Sequence, residues 1–225
     1  MSNIFKSSIG KKLLMSLAGL FLCSFLLVHL GVNILIILFE SSKPFNVAAN
    51  FMASNIVIKV FEVVLFGGIV IHIFMGLLLQ VQNWLTRPVR YKKNNHSQTS
   101  FFSKYMIHTA AIVLAFMVIH LFDFYFKAKF FGEIESISYD GGITHYHDLS
   151  ALVIAKFSHL EFVIIYIASF IFLGFHLHHA FQSAFQTLGL NHKVYTPIIK
   201  FLGVMYTFII VLGFTSIPVV IYFIK

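Results

Sequence analysis

Charge, cysteine and proline are all scarce in this chain. Lys, Arg, Asp and Glu make up 11% of its 225 residues, against about 25% in an ordinary soluble domain. Mean hydropathy is +0.88 and 59% of residues are hydrophobic, so a water-soluble fold is excluded. The single cysteine, Cys23, excludes internal disulfides, iron–sulfur clusters and covalent c-type haem attachment. There is no Gly-rich dinucleotide loop, so the chain cannot take a hydride by itself. Five spans of roughly 24 residues consume just over half the length, which leaves no second soluble domain.

What is there divides into five apolar runs: residues 13–39, 56–80, 105–126, 159–185 and 198–224. Each is long enough to cross a hydrocarbon core of about 30 Å. The first is too long for a signal-peptide core of about 7 to 15 residues and is expected to stay as a span. Breakers separate the runs: Ser41-Ser42-Lys43-Pro44, Arg87-Pro88, Asn94-Asn95, Gly141-Gly142 and Thr196-Pro197. The longest loop, 127–158, mixes aromatic and aliphatic residues and is expected to lie on the membrane surface as a partly helical cap. The expected fold is an all-α integral membrane domain spanning residues 1–225, with four helices in an up-down bundle and a fifth beside them.

Basic residues fix the expected orientation. Ten of the sixteen, Lys6, Lys11, Lys12, Arg87, Arg90, Lys92, Lys93, Lys104, Lys193 and Lys200, fall in the N-terminus and the second and fourth loops, with no acid among them. The positive-inside rule then puts the N-terminus in the cytoplasm and the C-terminus outside. The net charge of +8 is thus a topology signal that also suits anionic lipid or an acidic partner, and it does not point to nucleic acid.

The chain that avoids charge keeps twelve histidines, and polar residues within spans mark function. His29, His72, His120 and His176 lie deep on four consecutive spans. Counted from the inner edge at about 1.5 Å per residue, His29 and His120 lie at about 24 and 22 Å, and His72 at about 12 Å, with His176 similar. They form two tiers, offset by about 10 Å. In an up-down bundle the first and third helices are diagonal, as are the second and fourth. Each diagonal suits one haem held by two imidazoles, and the tiers would stack two haems across the membrane. Gly68 and Gly76, one turn either side of His72, are expected to give a flat macrocycle its space. A zinc or iron transporter would instead want carboxylates converging with histidines at one level, and the acids sit near the outer ends.

The other histidines have weaker claims. His108, near the inner surface, could hold a haem propionate, and an interfacial role is equally open. His179 lies close to the face of His176, so spacing alone leaves either as the fourth ligand, with a propionate contact open to the other. His96, His145, His147 and His192 are loop residues, and His159 begins the fourth span.

Four motifs resemble the dihaem cytochrome b subunit of bacterial succinate:quinone oxidoreductases. They are Leu-Val-His29-Leu-Gly-Val-Asn33, Ile-His72-Ile-Phe-Met-Gly76, Val-Ile-His120-Leu-Phe and Phe-His176-Leu-His-His-Ala-Phe-Gln-Ser-Ala-Phe-Gln-Thr-Leu-Gly189. The similarity is strongest to members from Bacteroidetes-like bacteria. The fourth string is the most specific, and the match runs from about Lys11 to the last span. The resemblance implies that His176 rather than His179 is the ligand. It pairs His72 with His176 in the inner haem b and His29 with His120 in the outer one. It also implies a bacterial cytoplasmic membrane, an iron–sulfur subunit on the cytoplasmic face carrying an FAD flavoprotein, and a quinone, with menaquinone expected from lineage. Some relatives carry a glutamate two residues before the fourth ligand; here that position is Gly174, which puts a transmembrane proton path of that kind in doubt.

Quinone reduction needs protons, and Glu62, Lys59, Asp123 and Glu40 are candidates by their outer position. Other classes stay open at this stage: a cytochrome b anchor of a hydrogenase or formate dehydrogenase, a stand-alone cytochrome b561-type electron carrier, or a haem-free scaffold.

Overall fold

In a computed structural model, which describes residues 7–85, 105–132 and 134–225, the chain is almost wholly helical. Helix α1 (Ser8–Asn33) runs on into a short α2 (Leu35–Leu38), followed by α3 (Lys43–Ser54), α4 (Ile56–Leu85) and α5 (Met106–His120). The last of these continues without a break as a π-helix, Leu121–Phe131. A two-stranded hairpin, β1 (Ser136–Ile137) with β2 (Tyr146–His147), precedes α6 (Leu149–Phe157), α7 (Leu160–Thr187) and α8 (Tyr195–Ile224). Five segments are long and apolar enough to cross a membrane: Ser8–Leu38, Ile56–Leu85, Met106–Phe131, Leu160–Thr187 and Tyr195–Ile224. The chain is an all-α, multi-pass membrane protein.

All five spans exceed the apolar runs, because a helix continues past the hydrocarbon edge wherever its caps allow. The Ser7 side chain accepts the Gly10 N–H at 3.0 Å, so α1 opens before Lys11 and Lys12. Pro44 and Pro197 do not mark loops. Each sits in the first turn of its helix, where a missing N–H costs nothing. The segment expected as the first loop is mostly α3. At the far end of α7, Gly189 takes a left-handed φ of 82° and the Leu190 N–H returns to the Phe185 carbonyl at 3.0 Å, closing the helix. Lys6, Arg87, Arg90, Lys92, Lys93, His96, Lys104 and Glu133, with the Arg87-Pro88 and Asn94-Asn95 breakers, lie outside the described residues.

Helices α1, α4, α5 and α7 form the bundle. Close packing joins α1 to α4, α1 to α7 and α5 to α7, while α8 lies alongside against α7 and α1. The fifth span contributes fully to the core, with Ile210, Phe214, Ile217 and Ile221 all buried. Its fit depends on small residues, which let helix backbones approach in a membrane. A Cβ at Gly174 would lie 2.7 Å from Cγ2 of Val211, and one at Gly213 would lie 2.6 Å from Cδ2 of Leu30. A glutamate at position 174 has no room here. Helices α4 and α5 differ, for neither has a buried residue.

The other end of the bundle from Ser8, here termed the cap end, is covered by α3, the hairpin and α6. Asn46 is fully buried and ties them together. Its amide nitrogen lies 2.8 Å from the Tyr139 hydroxyl, 2.9 Å from Asp148 Oδ1 and 3.1 Å from Ser150 Oγ, and its oxygen accepts the Ser150 N–H at 2.9 Å. Partial burial pushes the Asp148 carboxyl up, but hydrogen bonds from Ser150, Asn46 and the Ala151 amide outweigh it and hold the group below the ordinary carboxylate range.

Two outcomes are expected. Gly174→Ala should destabilise the protein by about 1–3 kcal/mol, because branched Val211 cannot turn aside, whereas Gly31→Ala, with nothing nearby, should be neutral; thermal unfolding in detergent reads both. Asn46→Ala should unlatch the cap and raise amide exchange across residues 136–157. Because the folded Asp148 is the stronger acid, its contribution is complete above the unfolded carboxylate value of about 3.9 and is lost as pH falls through the lower folded value. The wild-type cap should therefore stay protected at neutral pH and open only below about pH 4.

Candidate functional site

The two bundle diagonals are bridged by histidines. His29 of α1 meets His120 of α5, with ring centres 5.7 Å apart and planes at 84°. His72 of α4 meets His176 of α7, at 6.3 Å and 78°. Two imidazoles on opposite sides of one metal ion, each about 2.0–2.1 Å from it and with ring centres about 1.1 Å further out, stand about 6 Å apart. Both pairs match that separation.

Among the described residues, Nδ1 of His72, His120 and His176 is buried without a hydrogen-bond partner, and a buried polar atom left unpaired costs about 1–3 kcal/mol. At His29, Asn33 Nδ2 lies 3.5 Å from Nδ1 and donates to the His29 carbonyl at 2.7 Å. All four histidines keep intermediate exposure at mid-span.

The surroundings of the pairs are unequal. Around His29–His120 the rings of Phe25, Phe214, Phe116, Phe124 and Tyr166 lie 5.2 to 6.3 Å away. The His72 ring instead rests on α1 at Gly19, where a Cβ would lie 3.3 Å from its Cε1. The tiers can be measured from these contacts. Gly19 precedes His29 by ten residues on α1, and Tyr166, which touches His120, precedes His176 by ten on α7. Both helices therefore set the tiers about 15 Å apart, more than the 10 Å expected from span edges, because the helices run past those edges.

Gly68 and Gly76 do not serve as expected. A Cβ at Gly68 would lie 3.1 Å from Phe21 and one at Gly76 3.6 Å from Met15, so both face α1 and allow helices to approach. Sequence reasoning missed Gly19, whose only signal was three small residues in four, Ser16, Ala18 and Gly19, and missed Phe214 of the fifth span, for which there was none. His108 is exposed beside Tyr105, at 5.8 Å. His179 is half-buried on α7. His145 and His192 are exposed, as is His147 on the second hairpin strand.

No protein-family model, curated protein or solved structure matches this chain.

The acids at the cap end flank α5. Glu62 of α4 accepts from the Tyr125 hydroxyl at 2.5 Å and pairs with Lys129. Asp123 pairs with Lys156 at 2.7 Å and accepts from the Tyr166 hydroxyl at 2.8 Å. The π-helix makes both contacts possible, since its wider turn aims Asp123 at α6 and α7 while Tyr125 and Lys129 reach α4. Lys59 and Glu40 are exposed. Among the described residues no three His, Cys, Asp or Glu side chains gather; the histidines meet in twos.

Gly19→Leu should push His72 off its seat and leave His29–His120 intact. Thermal unfolding in detergent should then show a loss of about 1–3 kcal/mol, whereas unchanged stability would show that His72 needs no room at position 19.

Proposed function

We propose that this chain is the membrane-anchor cytochrome b of a bacterial succinate dehydrogenase or fumarate reductase complex. It would pass electrons between an iron–sulfur subunit and membrane quinone and would hold two haems b. The observation that carries this reading is the crossing of both bundle diagonals by histidine pairs, at metal-spanning separation and two depths. The motif resemblance names the partner class.

Haem b, when bound, would supply a one-electron carrier, and a histidine pair holding each would suit electron transfer rather than oxygen chemistry. His29 with His120 would hold the outer group and His72 with His176 the inner one. The aromatic rings around the outer pair exclude water from it. Histidines on four different helices would hold both groups, and none of the four can move without shifting a span.

In this reading Lys11, Lys12, Lys193 and Lys200 lie on the cytoplasmic side of a bacterial inner membrane, where the iron–sulfur subunit docks and carries the FAD flavoprotein. The cap faces the periplasm. Quinone, menaquinone if the motif resemblance extends to lineage, would approach from the lipid, and Glu62 is better placed than Asp123 to meet it. Its side chain is 26% exposed against 13% for Asp123, and it lies on the loosely packed α4–α5 side.

Purification of the complex from native membranes tests the proposal. The expected result is two non-covalent haems b per chain, with flavoprotein and iron–sulfur subunits in the same particle. Alanine at any one of the four histidines should remove about half the haem, read by a reduced-minus-oxidised spectrum. Absence of b-type absorption would overturn the reading, and a hydrogenase or formate dehydrogenase partner would reassign it.

A further inference from the structure

The cap end holds a largely buried charge pair outside the histidine pairs. Lys156 of α6 and Asp123 of the π-helix meet at 2.7 Å with side chains only 13% exposed. Tyr166, 1% exposed, locks them by donating to the second carboxylate oxygen at 2.8 Å. Lys156 also stands 3.8 Å above the Phe162 ring. Burying an ion pair is seldom more stabilising than apolar packing of the same volume, so stability alone does not account for it.

Its position supplies a role. Asp123 follows His120 by three residues, about one helical turn along the same span. Tyr166 touches both, its ring 6.3 Å from that of His120 at 67° and its hydroxyl on Asp123. Charges in a weakly polar interior are poorly screened. The other histidine pair lies about 15 Å away along α1 and α7.

We infer that Asp123 and Lys156, held by Tyr166, are positioning residues that set the electrostatic balance at the His29–His120 pair. They fix the reduction potential of the carrier held there, and not that of its neighbour. The inference rests on the haem reading above. The sign follows from charge: oxidation adds one positive charge, so an uncompensated lysine opposes it and an uncompensated aspartate favours it.

Spectroelectrochemical titration of the purified complex tests this. Asp123→Asn should raise the potential of one of the two haems, Lys156→Met should lower that of the same haem, and the double variant should return close to wild type. The second haem should not move in any of them. Tyr166→Phe keeps both charges and should alter the low-spin electron paramagnetic resonance signal of the affected haem with a smaller change in potential. Haem lost from a single variant and regained in the double would support charge balance. The inference is overturned if both single variants shift in the same direction, if neither shifts, or if haem is lost from all variants alike, which would make the cluster a scaffold. A wild-type complex with no haem b would sink the underlying reading instead.

Discussion

An imidazole in the hydrocarbon region has no water to satisfy its ring nitrogens, so each one left unpaired inside the protein is costly. This chain places four such rings on four spans and brings them together in twos across the bundle diagonals. Diagonal helices do not otherwise pack closely. The histidine pairs therefore set how wide the bundle must be, and much else in the fold accommodates that width.

The accommodation is uneven. One side is tight: α1, α7 and α8 approach through Gly174 and Gly213, and the buried residues concentrate there. The other side, α4 and α5, buries nothing fully, and these helices are joined at the cap end by Tyr125 and Lys129 reaching Glu62. A densely packed half thus supports a looser one. The π-helix beginning directly after His120 belongs to the same compromise. Its wide turn lets one segment serve two neighbours, with Asp123 on one flank and Tyr125 and Lys129 on the other.

Hydropathy made the spans legible, since a run of twenty apolar residues has few alternatives, and loop length with alternating direction made the diagonals legible. Depth counting sorted His29 and His120 from His72 and His176, and the contacts agree with that sorting. Distances along the spans were read less well. The tier offset came out short because span edges are poor rulers when helices continue through Lys11 or past Gln80. Gly68 and Gly76 share a face with His72 by periodicity, but a helical face is broad, and these two lie against Phe21 and Met15. Helix α3 was hidden by a Pro-containing segment that opens a helix as readily as it breaks one.

Composition and periodicity by themselves determined that this is a five-span helical membrane protein with four deep histidines, because burying apolar surface and keeping charge out of lipid are local demands written into each run. Tertiary structure alone decided that Gly19 seats His72, that Phe214 from the fifth span reaches His29, and that Asp123 is matched by Lys156 and Tyr166. Those partners come from different helices or from residues more than thirty apart, and no spacing in a sequence encodes which face of one helix will meet another until the whole bundle has packed.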